Sequence, residues 1–215
     1  MTPCQMVIFD WDGTLMDSVD RIVDSWQRAA TELALRVPDG EEIRSIIGLS
    51  IDAAIEALTP ELDSQQNQAF QHQYRQWYLQ RSQVETPLFD GAEELLHTLK
   101  RRGYQLAVAT GKGRPGLERV LAQSGLGALF DASRTPTEAA SKPNPEMILQ
   151  LCQQLRCDPA AAVMVGDALF DLEMANRAGA VGVGVSYGAS SVAKLQQAAP
   201  RAIIHHPMEL MDVLP

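Results

Sequence analysis

The feature that most constrains this 215-residue chain is a series of short apolar runs, several of which stop at a polar residue or a glycine. Met6–Phe9 ends at Asp10, Leu106–Ala109 at Thr110, and Ala162–Val165 at Gly166-Asp167. Val181–Val185 is a further run, and Ala202–Ile204 a weaker one. Apolar runs this short, without alternation, fit strands buried on both faces of a parallel sheet. Between them lie Gly91–Arg102, Pro115–Ser124, Pro145–Leu155, Leu169–Ala178 and Ser190–Ala198, which place apolar residues at helical spacing. Alternating strands and helices imply right-handed βαβ units, hence an α/β fold with a parallel sheet covered on both faces.

The stretch from about Val19 to Val84 breaks the alternation. It contains no convincing strand, and Ile22, Trp26, Ala29 and Ala30, then Phe70, Tyr74, Trp77 and Tyr78, recur at helical intervals. The expectation is a four-helix insertion over residues 18–85, with residues 1–17 and 86–215 forming the sheet domain. Thr86-Pro87 and Asp90-Gly91 mark the return. Aromatic residues of the insertion are expected to pack against one another rather than to touch a ligand.

A formal net charge of -9 argues against a general nucleic-acid or anionic-membrane binder. No segment approaches the roughly 20 apolar residues of a membrane helix. The N-terminus has neither a basic start nor a long apolar run before a cleavage site, so no signal peptide is expected. Three cysteines, Cys4, Cys152 and Cys157, do not form a disulfide pattern and are read as reduced thiols. The expected location is the cytoplasm and the expected state a monomer, with a dimer as the alternative.

Four groups of residues follow predicted strands, where ligands bind in open α/β sheets. In Asp10-Trp11-Asp12-Gly13-Thr14, two carboxylates stand two residues apart. One could attack a phosphoryl group and the other move protons; the same loop could also simply cap the next helix. Thr110-Gly111 offers a hydroxyl and backbone N–H groups for an anion, or a plain helix cap. Lys142-Pro143 offers a compact positive charge. Gly166-Asp167, with Asp171 four residues on, completes a set of acidic oxygens suited to Mg²⁺ together with Asp10; both aspartates could instead be helix-start carboxylates.

Together these residues resemble the signature of the haloacid dehalogenase superfamily: DxDGT, then Thr or Ser, then Lys, then GDxxxD, in that order over essentially the whole chain. The insertion is similar to the small helical cap of the phosphoglycolate phosphatase-like branch. The resemblance implies a three-layer, Rossmann-like core with an inserted helical cap. It implies a phosphoric monoester hydrolase in which Asp10 is the nucleophile and Asp12 the acid and base. Mg²⁺ would be held by Asp10, the carbonyl of Asp12, and Asp167, with Asp171 orienting the metal shell or Lys142. Thr110, Gly111 and Lys142 would bind the phosphoryl group. Trp11 stands where relatives usually have Phe, which suggests contact with the cap or a pocket wall. Ala168 replaces a common Ser or Thr, with little effect expected.

Asp12 favours phosphate chemistry, because the dehalogenase and phosphonatase branches lack that acid. The insertion also contains no lysine for a Schiff base. The alternatives are a phosphomutase of the β-phosphoglucomutase type and a non-catalytic metabolite-binding protein. In the mutase the cap would bind a second phosphate with basic residues; here Arg21, Arg44, Arg75 and Arg81 are expected to be mostly solvated. The substrate is expected to be a small phosphorylated metabolite such as phosphoglycolate. Candidate contacts to its leaving group are Gly48 and Ser50 of the loop Ile46–Ser50, although Ser50 could equally be a helix N-cap. Lys112 and Arg114 could bind a second anionic group or face water.

Overall fold

Six parallel strands lie in the order β3-β2-β1-β4-β5-β6. They are β1 (Met6–Phe9), β2 (Gln105–Ala109), β3 (Ala132–Arg134), β4 (Ala162–Gly166), β5 (Val181–Val185) and β6 (Ala202–Ile204). The structure is a computed structural model that describes residues 5–214. Cys4 lies outside them, whereas Cys152 and Cys157 are buried free thiols. Each apolar run of the sequence becomes a strand. The edge strand β3 has no such run: its sequence is Ala-Ser-Arg and all three residues are half-buried. An edge position needs no continuous apolar pattern.

Side chains alternate across the sheet with the period of a strand. Val7, Phe9, Val108, Val163 and Val165 face Leu95, Leu96 and Leu99 of α5 (Ala92–Arg101) and Leu117 of α6 (Arg114–Ser124). Met6, Ile8, Ala107 and Met164 face the opposite layer, α7 (Glu146–Leu155) and α8 (Leu169–Ala178), through Ile148, Leu151 and Met174. At about 1.5–3 kcal/mol for each large aliphatic side chain removed from water, these two layers dominate the stability of the sheet.

Trp11 belongs to the first layer. It is fully buried, its ring meets Phe130 edge-on at 6.1 Å between centroids, and its Nε1–H reaches Met16 Sδ at 3.4 Å. It therefore does not line the pocket, contrary to the expectation from sequence. Its large ring finds its apolar partners beneath the loop.

The insertion is helical throughout: α1 (Val19–Glu32), α2 (Gly40–Arg44), α3 (Ile51–Leu58) and α4 (Ser64–Gln76), which runs on as a π-helical turn over Trp77–Arg81. Asp39 and Asp63 open α2 and α4 with capping boxes, each satisfying the N–H three residues on. The insertion has its own core around Trp26, Ile43, Ile55 and Phe70. Trp26 packs on Phe70 at 4.8 Å and on Tyr74 at 5.8 Å. Arg44 and Arg81 form exposed pairs with Asp20 and Glu32, as a solvated face predicts. Arg21 differs: its guanidinium donates to the Tyr78 and Val84 carbonyls and anchors the π-helical turn.

Candidate active site

Strand register explains why distant residues meet. Phe9 pairs with Val108 of β2 and with Val165 of β4. Asp10 is thus level with Ala109 and Gly166, one residue before Thr110 and Asp167. All three polar side chains emerge at the carboxyl edge of the three central strands.

Asp10, Asp167 and Asp171 are buried and present carboxylate oxygens within 4.8 Å of one another. Lys142 reaches them from the segment before α7. Its Nζ lies 2.9 Å from Asp10 Oδ1 and 2.6 Å from Asp171 Oδ1, with all three side chains excluded from water. Burial works against the charge of Lys142, but Asp10 and Asp171 outweigh it and hold its pKa above the usual lysine value. Burial pushes the Asp10 carboxyl well up, against the pull of Lys142, and Asp171 adds to the rise. Burial likewise raises Asp167, helped by the neighbouring charges of Asp10 and Asp171.

Asp167 is fixed from two sides. Thr14 Oγ1 donates to its Oδ1 at 2.9 Å, and the Ala189 N–H donates to its Oδ2 at 2.8 Å. A Cβ on Gly13 or on Gly188 would overlap this carboxylate, so both loops depend on glycine to close around it. Gly188 and Ala189 follow β5 and were not singled out from the sequence. Their signal was a glycine just past a predicted strand, which is weak alone. Asp171 also accepts from the Ala168 N–H at 3.1 Å, which ties it to the start of α8.

Asp12 sits apart from the acidic group. Ser18 Oγ donates to its Oδ1 at 2.7 Å, and Lys112 Nζ approaches its Oδ2 at 2.9 Å. Lys112 in turn lies 5.0 Å from the centre of the Tyr78 ring in the insertion. The Lys112 charge is thus paired with Asp12 rather than standing free for a second anion. Asp12 raises the Lys112 pKa despite the opposing effect of burial. Thr110 is buried, and its Oγ1 accepts from the Lys112 N–H at 3.2 Å.

Asp10, Asp12, Thr110, Gly111 and Lys112 border a cavity of about 380 Å³ roofed by the insertion. Gly48 lies on its wall with φ +103, and a Cβ on Gly111 would overlap the Gly48 and Leu49 carbonyl oxygens. The roof loop therefore rests directly on Gly111. Ser50 is not on the wall: its hydroxyl accepts from the Ala53 N–H at 3.3 Å as the N-cap of α3, and its N–H donates to Ser141 Oγ at 3.0 Å. The helix N-terminus takes up that hydroxyl. Arg114 also lies elsewhere, since its guanidinium is held by both carboxylate oxygens of Glu138 at 2.8 Å. Two arginines not proposed as contacts, Arg75 and Arg119, do line the cavity. Trp26, Tyr74 and Tyr78 pack as expected and also form part of its wall.

A family profile described as Haloacid dehalogenase-like hydrolase matches residues 7–185. The chain belongs to this family. Among its relatives, a Dickeya dadantii protein named "Probable phosphatase IndB" is 35% identical over 203 residues, covering 93% of this chain and 88% of that protein. An N-acetylmuramic acid 6-phosphate phosphatase of Pseudomonas putida is 30% identical, covering 97% and 95%. The crystal structure of a hydrolase from Pseudomonas syringae superposes with a TM-score of 0.84 at 27% identity, covering 97% of this chain and 96% of that one. This haloacid dehalogenase-like hydrolase is a phosphoric monoester hydrolase with the family's α/β core and helical cap. No helix among its described residues is long and apolar enough to cross a membrane.

Proposed function

We propose that this hydrolase is a Mg²⁺-dependent phosphatase of small anionic phosphomonoesters, in the manner of phosphoglycolate, and that it works through an aspartyl phosphate on Asp10. The observation that carries this reading is that Asp10, Asp12 and Thr110 together floor one cavity beneath the cap, with Lys142 and Asp167 directly behind Asp10.

The donor set fits a hard cation. Three buried carboxylates face a single lysine, a local excess of negative charge, and their oxygens are the ligands Mg²⁺ prefers. Asp10, Asp167 and the Asp12 carbonyl would hold it. When bound, the ion offsets the repulsion between an anionic nucleophile and an anionic substrate.

The chain's own groups supply the rest. Asp10 attacks phosphorus in line, and the bond to the leaving oxygen breaks. Asp12 gives that oxygen a proton and later takes one from the water that hydrolyses the acyl phosphate. Ser18 and Lys112 keep the Asp12 carboxyl turned to the cavity floor. Thr110, the Gly111 N–H and Lys142 bind the transferring group, where positioning and charge stabilisation supply most of the rate.

Purified enzyme with Mg²⁺ should release free phosphate from simple phosphomonoesters without a bisphosphate activator, which separates it from a phosphomutase. Asp10→Asn should lower turnover by at least about a thousandfold with an unchanged circular-dichroism spectrum. Near-normal turnover in that variant would overturn the mechanism. Silence across a broad phosphomonoester panel would overturn the activity.

A further inference from the structure

The cavity bears on which alcohol leaves. Its volume of about 380 Å³ lies within the range of pockets for drug-sized ligands, which begins at about 300 Å³. A two-carbon acid would leave much of it unfilled.

The wall contributed by the cap is apolar. Ile22, Trp26, Ile47, Ile51 and Tyr74 line it, and the cap adds no carboxylate, amide or aliphatic hydroxyl. Among the described residues, its polar side-chain groups are the phenols of Tyr74 and Tyr78, the Trp26 indole N–H and the Arg75 guanidinium. A sugar phosphate would therefore bury several hydroxyls with few partners. Each buried polar group left unpaired weakens binding about tenfold or more. Each methylene laid on such a wall strengthens it about fourfold.

Two arginines give the cavity a second charged feature, apart from the carboxylate floor. Arg75, on α4, makes only a 3.4 Å contact with Gln71 Oε1, and Arg119, on α6, makes no ion pair among the described residues. Arg75 is exposed and Arg119 half-buried, so both guanidinium groups stand beside the apolar chamber without a carboxylate partner among the described residues.

We propose that the leaving alcohol has an apolar body, alkyl or aryl, that fills the Ile22–Ile51–Tyr74 chamber, and ends in an anionic group bound by Arg119 with Arg75. Sugar phosphates are selected against by the same wall. The inference rests on the phosphatase reading above and moves its substrate from phosphoglycolate to a longer, apolar acid.

Two arms test it separately. In the first, calorimetry on the wild-type enzyme with Mg²⁺ follows non-hydrolysable ω-carboxyalkyl phosphonates of increasing length. Kd should fall about fourfold per methylene until the chamber is full. In the second, phosphate release is compared for phosphoglycolate, 6-phosphonooxyhexanoate, hexyl phosphate and glucose 6-phosphate. The six-carbon acid should exceed phosphoglycolate by about 250-fold in kcat/KM, four additional methylenes being involved, and glucose 6-phosphate by at least about tenfold, because the wall leaves sugar hydroxyls unpaired. Arg119→Gln should lower the preference for 6-phosphonooxyhexanoate over hexyl phosphate about tenfold. Ile51→Ser should flatten the dependence of Kd on chain length. A Kd series that is flat or absent overturns the inference, as does glucose 6-phosphate turned over as well as the six-carbon acid, or an unchanged carboxylate preference in Arg119→Gln. Absence of phosphate release from every ester overturns the phosphatase reading instead, and the Kd series still decides the nature of the ligand.

Discussion

Asp10 is held by an ion pair from which water is excluded. Among the described residues, Lys142 is the one cation in contact with the buried carboxylates, at 2.9 Å from Asp10 and 2.6 Å from Asp171. Removing one partner of a buried pair leaves uncompensated charge and costs about 3–5 kcal/mol. Lys142→Met should lower unfolding stability by that amount in Mg²⁺-free buffer, read as a lower urea midpoint at constant slope. Asp10, Thr110, Lys142, Asp167 and Asp171 gather at the carboxyl edge of the sheet. Trp11 and Ser50 do not join them, each for a local reason: an indole that finds apolar partners beneath the sheet, and a hydroxyl that caps a helix. For Ser50 the order of residues offered the helix cap and the ligand contact as equal readings, and only the packing decided between them.

At the scale of elements, the roof loop rests against Gly111 at the cavity. Leu49 and Gly48 carbonyl oxygens occupy the space a Cβ on Gly111 would need. Gly111→Ala should therefore hold the cap away from the carboxylates. Since misplacement by about 1 Å costs about a hundredfold in rate, kcat/KM should fall by roughly that factor while stability changes little. A second element-level tie joins the start of α6 to the segment after β3 through Arg114 and Glu138. The bidentate Arg114 pair, with the Thr135 N–H and hydroxyl, lowers the Glu138 pKa to about 2. A depressed carboxyl stabilises the fold above its unfolded pKa and loses that contribution as pH falls toward the folded value. The difference in urea stability between wild type and Glu138→Gln should be at most about 1 kcal/mol at pH 7, the range for exposed pairs. It should narrow as pH drops below about 4.5. A difference that grows on acidification would refute this assignment.

At the scale of the molecule, the cap's own hydrophobic cluster sits over the catalytic edge of a sheet packed on both faces. The cap is closed in this structure: Ser50 N–H donates to Ser141, Lys194 Nζ donates to the Ser45 carbonyl at 3.4 Å, and Tyr78 faces Lys112. On the Mg²⁺-dependent reading proposed above, the buried carboxylates behind Asp10 bind the ion in the folded state and not in the unfolded chain. At a hundredfold excess over Kd, such binding contributes about 2.7 kcal/mol, which raises Tm by about 5–10 °C for a chain of this size. Mg²⁺ should produce this rise and EDTA reverse it, and Asp167→Asn should abolish it.

What the sequence by itself determined is the sheet domain, its helical insertion, and the position of Asp10, Thr110 and Asp167 at strand ends. The reason is that a buried parallel strand must be apolar along its length, so the residue at which the run stops is marked, and parallel register then brings the marked residues together. β3 escaped because an edge strand is exempt from that demand. Only the tertiary structure decided the rest. The pairing of Lys142 with Asp10 and Asp171, the closure of Gly188 on Asp167, and the joining of Arg75, Arg119 and an apolar chamber each depend on segments far apart in the chain. Helical periodicity shows which face of an element is buried, but the same aromatic face can bury itself against its neighbours or border a cavity. Trp26 and Tyr74 do both, and three-dimensional packing alone determines it.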